Sequence, residues 1–254
     1  MSGAPRTVLA CDTSTRTASI ALVRDGVLLG EWTTLAPTPR SALLLADVSA
    51  LLARHGLSPP DVDLFVTSVG PGSFTGVRTA MATLKGLAYA TGRPLAAVGS
   101  LEALAHPAIA HPAIAHPAIA HPAIARDAPG AVLVALDARR GEVYGALARR
   151  SDGAWLIEPA VIGAADLAAR AAAIVPEGEV QALGEGVLAY PDAFAAGLGG
   201  RLRVGEPGEH GVRASVLAFL GAARPPAPIA DVEPAYLRRP EAEVNLMKAR
   251  ASQG

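Results

Sequence analysis

Residues 70–78 read "GPGSFTGVR", an apolar stretch precedes them and a helix-like run, "VRTAMATLKGLAYA", follows. A glycine loop between a strand and a helix aims backbone N–H groups at one point, and such a point favours an anion. Gly70, Pro71, Gly72, Ser73, Thr75, Gly76 and Arg78 therefore form a candidate phosphate loop, intact or vestigial. The pattern is not a P-loop, because no Gly-Lys-Ser/Thr follows, and it is not the GxGxxG fingerprint. The competing reading is structural: the glycines permit a turn, and Ser73 or Thr75 caps the helix. Two acids, Asp12 and Asp137, each end an apolar strand-like run. An acid there can hold Mg²⁺ or orient a water; it can equally cap its own turn. A hairpin that grips a triphosphate wants glycine just after the acid, and the stretches here are "DTST" and "DARRGEVY". Both acids are thus candidates for a cleft that has lost its phosphate grip.

Other reactive side chains are scarce. The single cysteine, Cys11, falls inside a buried strand pattern and excludes an internal disulfide. Four of the six histidines, His106, His111, His116 and His121, belong to four tandem copies of HPAIA at 106–125. A metal-binding tract is one reading. Against it, five residues advance a helix by about 500°, so successive imidazoles drift around the surface. A proline in every copy also blocks a regular helix. A replicated connection between two elements is the simpler reading. No helical histidine pair at ligand spacing stands outside the array.

The elements that must hold these residues follow from periodicity. The first half reads "TVLACD", "ASIALV" and "VLLGEWTT" as strands, then a helix over "RSALLLADVSALLARHG", the strand "LFVTSV", a helix from about residue 76 to 92, and the strand "PLAAVG". The second half opens in the same order with "AVLVALD", "EVYGALARR" and "AWLIE", then a helix over "AADLAARAAAI", a strand "VQAL" and a helix near "RASVLAFLGAA". Strand, Asp, turn, strand, DG and strand thus occur twice, at 7–32 and 131–158. The expected fold is α/β: two duplicated ribonuclease H-like lobes in the actin/Hsp70/sugar-kinase (ASKHA) architecture, with an Asp-bearing hairpin facing the cleft from each side. The expected divisions are a first lobe at 1–105, the HPAIA connection at 106–125, a second lobe at 126–225 and a tail at 226–254.

Composition bounds the function. Of 254 residues, 51% are hydrophobic and 18% charged, so the chain has the means to build a core. A net charge of −1 provides no general field for nucleic acid. No apolar run is long enough to span a membrane and the N-terminal one is short for a signal peptide, so the expectation is a cytoplasmic protein. In "GVRTAMATLKGLAYATG" only Arg78 and Lys85 are charged, and seven residues apart they share a face. A helix apolar nearly all round is buried on more than one side. It is either a central core helix or one that packs inward on its sheet and outward on a partner, through Met81, Leu84, Ala88 and Tyr89 beside Leu43, Leu44 and Leu51 of the preceding helix.

"LACDTST", "GPGSFTGVR", "LDARRGEVY" and "VEPAYLR" together resemble, in order and spacing, the hallmark segments of the TsaB (YeaZ) family, over about residues 8–238. The resemblance implies a noncatalytic paralogue of TsaD, the transferase that makes N6-threonylcarbamoyladenosine (t6A) at position 37 of tRNA. It implies a TsaD heterodimer through the two first-lobe helices, with TsaE joining and TsaC supplying the activated intermediate. It implies a homodimer when TsaD is missing, contact with tRNA only through the complex, no membrane, and no cofactor of its own, nucleotide and metal belonging to TsaD and TsaE. The transferase carries a His-x-x-x-His metal pair; the corresponding positions here are Ser100 and Leu104, which cannot replace imidazoles. Two departures stand out: Arg40-Ser41 where relatives often carry His-Ser or His-Thr, and the HPAIA array. A scaffold of this kind is the favoured reading. An ATP-hydrolysing or phosphotransferring actin-like enzyme, or a glycoprotease-like peptidase, is the alternative.

Overall fold

The computed structural model describes residues 7–35, 43–109 and 130–238. Arg40, Ser41 and the array beyond residue 109 lie outside the described residues. Alternating and continuous apolar runs become ten strands: β1 Thr7–Asp12, β2 Thr17–Arg24, β3 Val27–Leu35, β4 Leu64–Ser68, β5 Leu95–Val98, β6 Gly130–Arg139, β7 Glu142–Arg149, β8 Trp155–Gly163, β9 Glu179–Leu183 and β10 Leu202–Val204. Among the described residues seven α-helices accompany them: α1 Leu44–Arg54, α2 Phe74–Thr91, α3 Ser100–Ala105, α4 Ala164–Ile174, α5 Glu185–Ala189, α6 Pro191–Leu198 and α7 Ala214–Ala222.

The strands form two five-stranded sheets, β3-β2-β1-β4-β5 and β10-β9-β6-β7-β8. In each, three antiparallel strands are continued by two parallel ones. In chain order within each half, both sheets run 3-2-1-4-5. The duplicated ribonuclease H-like lobe of the ASKHA architecture is therefore present twice, as the repeated sequence pattern requires. Parallel strands buried on both faces read as continuous apolar runs, which is why β1 and β4 are buried at every residue.

Two helices exchange lobes, so the packing crosses the expected divisions. α7, placed by chain order in the second lobe, packs Val216, Leu217 and Leu220 against Val8, Val23 and Val66 of the first sheet. α3, placed in the first lobe, packs Leu101 and Leu104 against Val132, Val134 and Leu136 of the second sheet. The remaining faces carry α1 and α2 on the first sheet and α4 and α6 on the second. Periodicity marks which face of a helix is apolar but not which sheet receives it, so boundaries at 105 and 225 do not follow the packing. The first part of the tail also belongs to the first lobe, for Val232 is buried in the core beneath α1 and α2.

Candidate functional site

The β1–β2 turn and the glycine loop are built against each other. Ser73 N–H donates to the Ser14 carbonyl at 2.7 Å, and Thr13 Oγ1 donates to the Gly76 carbonyl at 2.5 Å. A Cβ on Gly72 would lie 2.4 Å from the Ser14 oxygen, and one on Gly76 would lie 1.7 Å from the Thr13 oxygen. Both distances are inside contact range with backbone that cannot move aside. Gly70 has φ +95° and is held by Ser100 N–H at its carbonyl, 2.8 Å. Pro71 is buried and follows a cis peptide. Ser73 is the N-cap of α2, its Oγ accepting from Gly76 N–H at 3.3 Å. Thr75 lies within the first turn, exposed, and the helix starts two residues earlier than its periodicity indicates. The loop's close approaches are therefore to the protein's own backbone.

Asp12 is fully buried at the end of β1. Its Oδ2 accepts from Ser14 N–H at 3.1 Å, while Oδ1 and the neighbouring Ser68 Oγ lie close together without a well-formed hydrogen bond among the described residues. Burial pushes the Asp12 carboxyl up to about 6, against the lowering contacts of Ser68 and Ser14. Beside it, Ser100 Oγ donates to Ser14 Oγ at 3.1 Å, both side chains being buried. Leu104, one turn along α3, is in the second-lobe core. Burial also raises the Cys11 thiol, so it stays protonated and inert.

Asp137 closes a second hairpin with its own turn. Its Oδ1 accepts from Arg139 N–H at 2.8 Å and from the Tyr190 hydroxyl at 3.0 Å. Gly141 N–H donates to the same hydroxyl at 3.2 Å. Between the hairpins, Glu185 Oε2 accepts from Arg16 N–H at 3.1 Å, and burial raises the Glu185 carboxyl. Amides that would face a phosphate thus meet Asp12, Asp137, Glu185 and Tyr190 instead. Glu185 and Tyr190 were not legible as site residues. Glu185 opens α5 and Tyr190 joins α5 to α6, two short helices that no sequence periodicity marked.

The partner-facing set divides. Leu44, Leu51, Met81, Leu84 and Ala88 are all buried within the first-lobe core, so they cannot present themselves to another protein. Only Leu43 and Tyr89 of that set are exposed, at 49% and 84%. Their burial has a simple cause: the most apolar stripe of an amphipathic helix goes to its own sheet. The outward stripe consists of Leu45, Ala46, Ser49, Ala50 and Ala53 on α1 and Ala82, Gly86, Tyr89 and Ala90 on α2. Arg78 is not left to seek a carboxylate either. Its guanidinium lies 4.2 Å from the Phe74 ring centre, and its Nε donates to the Tyr236 hydroxyl at 2.7 Å. Lys85, on the same face, donates to the Ala230 carbonyl. His106, the first histidine of the array, is buried at the end of α3. The described residues contain no group of three or more metal-ligating side chains and no helix long and apolar enough to cross a membrane.

Comparison with known proteins settles the family. The TsaD family model, tRNA N6-adenosine threonylcarbamoyltransferase, matches residues 40–191. The tRNA threonylcarbamoyladenosine biosynthesis protein TsaB of Bacillus subtilis is 32% identical over 246 residues, 96% of this chain and 99% of that protein. The chain belongs to the TsaB family. The TsaB of Escherichia coli is 33% identical over 149 residues, 58% of each chain. YeaZ from Pseudomonas aeruginosa superposes with a TM-score of 0.68 at 27% identity, covering 91% of this chain and 99% of that one. Ser100 and Leu104 fall inside the region that the transferase model matches.

Proposed function

We propose that this TsaB-family chain acts in t6A biosynthesis as a noncatalytic subunit that binds TsaD and makes it competent, with TsaE joining the complex. The observation that carries the reading is the state of the cleft. The position of the transferase's first metal histidine holds Ser100, bonded to Ser14, and that of the second holds Leu104, packed in the core. The hairpin amides are bonded internally, and Asp12 is sealed from solvent. An ATP-hydrolysing or peptidase activity needs groups that reach a substrate, and the burial of Asp12, Ser100 and Leu104 counts against one.

The outward stripe of α1 and α2 supports a partner surface of small residues, where helices approach closely. The same stripe would pair two copies when TsaD is missing. TsaD contributes the metal and the transfer chemistry, TsaE the ATPase, and TsaC the threonylcarbamoyl-adenylate. The test is reconstitution: TsaD, TsaE and TsaC with unmodified tRNA, with and without this protein. Modification that requires the protein, and that survives Asp12→Asn and Asp137→Asn, is the expected result. ATP or peptide turnover by the protein alone, abolished by either substitution, would replace this reading with the enzyme.

A further inference from the structure

The segment 227–238 crosses from one lobe to the other, and its two ends are held differently. It begins at the open edge of the first sheet, where Ala227 N–H donates to the Leu95 carbonyl at 3.2 Å. Val232 is buried in the first-lobe core. Beyond it the hold changes character. Ala235 N–H donates to the Val69 carbonyl at 2.7 Å, just before the glycine loop. The Tyr236 ring stacks on Phe74 with centres 5.4 Å apart and its hydroxyl takes the Arg78 bond. Arg238 then reaches the second lobe, donating to the Ala138 carbonyl at 2.8 Å and pairing with Glu142, across the β6–β7 hairpin. A crevice of about 20 Å³ remains between Pro71, Gly72, Tyr144, Tyr236 and Arg238. Tyr144 belongs to β7, so loop, segment and second lobe converge there.

We propose that residues 227–238 form a latch across the interlobe cleft, with Arg238 as its catch. The near half is fixed by an apolar anchor. The far half is held by half-exposed aromatic and ionic contacts, which are individually weak and sensitive to salt. Two prolines within the segment, 228 and 234, and two just before it, 225 and 226, restrict it, so it presents its contacts with little ordering cost. An unfastened catch leaves the first-lobe core intact and frees the β6–β7 hairpin to move from the glycine loop. The lobes are also joined by the exchanged helices α3 and α7 and by the Arg16–Glu185 contact between the hairpins, so the motion freed is a movement of the β6–β7 hairpin away from the glycine loop about those joints. Phe74 and Arg78 belong to α2, so any molecule that engages their exposed faces competes with Tyr236 for them. The latch thereby links the outward face of α2 to the second lobe.

The test follows lobe separation in the full chain, without any partner. Arg24→Cys and Ala195→Cys place dyes on exposed positions of the two lobes; Cys11 is buried and unreactive. Single-molecule energy transfer in this parent should give one narrow distribution. Arg238→Ala, Glu142→Gln and Tyr236→Ala should each shift it to lower transfer and broaden it, with unchanged circular dichroism. High salt should do the same to the parent, and Arg93→Ala, which breaks an ion pair inside the first lobe, should not. Glu142→Gln strikes the catch from the opposite lobe, so misfolding of one variant does not remove the test. Unchanged transfer in the folded catch variants would overturn the latch.

Discussion

Asp12 is a carboxyl enclosed in protein with one oxygen lacking a well-formed hydrogen bond among the described residues, and the sign of its effect on stability can be worked out. Its folded pKa of about 6 exceeds the ordinary value of about 3.9. The folded state therefore binds the proton more tightly. The contribution to stability is largest below pH about 4, falls as pH rises to about 6, and is a constant cost of about 3 kcal/mol above that. Asp12→Asn should remove the slope between pH 4 and 6 and raise the urea midpoint at pH 8. A midpoint at pH 8 below that of the parent would show that the carboxylate is needed. Glycines give a second contrast. Gly76→Ala puts a carbon onto the Thr13 carbonyl and should cost at least about 2–3 kcal/mol. Gly86→Ala meets nothing within 4 Å and should add about 1 kcal/mol, the difference in helix propensity. Thermal melts of the two variants check both. The sequence separates neither case, because both glycines sit in one helical stretch. That the loop is structural was one of two readings open in "GPGSFTGVR"; the Thr13–Ser14 backbone that requires its glycines is sixty residues away in the chain, where spacing has no reach.

The helix pair α1–α2 was legible as a pair, and the direction it faces was not. The apolar residues that periodicity singles out are the ones an isolated lobe buries for itself, whereas the outward residues, Leu45 and Tyr89 apart, are alanine, serine and glycine, which carry little signal. The small stripe is accordingly the partner surface we propose. Ala88→Glu would bury a carboxylate in the first-lobe core and test folding. Gly86→Glu instead enters open space in the monomer, so circular dichroism and melting should stay at or above the parent, while association with TsaD weakens by a hundredfold or more through an unpaired buried charge. Titration calorimetry or gel filtration with TsaD reads this directly. Unchanged affinity in the folded variant would remove the stripe from the interface. The short elements α5 and α6 were missed for a related reason: helices of five and eight residues offer too few turns for a period to emerge.

At the scale of the molecule, the exchange of α3 and α7 makes each lobe incomplete without the other's stretch of chain. A fragment of residues 1–105 should fail to fold cooperatively, since Val8, Val23 and Val66 lose the helix that covers them. Adding 206–238 in trans should restore a cooperative melt; a fragment that melts cooperatively alone would contradict the packing. The HPAIA array should matter far less. Removing 111–125 leaves one copy, and a connection's length enters stability only logarithmically, so melting and t6A formation should both match the parent. The exchange also bears on how the protein is made. Strand β1 leaves the ribosome about 200 residues ahead of the helix that shields its second face, which begins at residue 214. At about 5–20 residues per second, that face waits on the order of 10–40 s during synthesis, a nearly continuous valine, leucine and alanine surface open to whatever binds nascent chains.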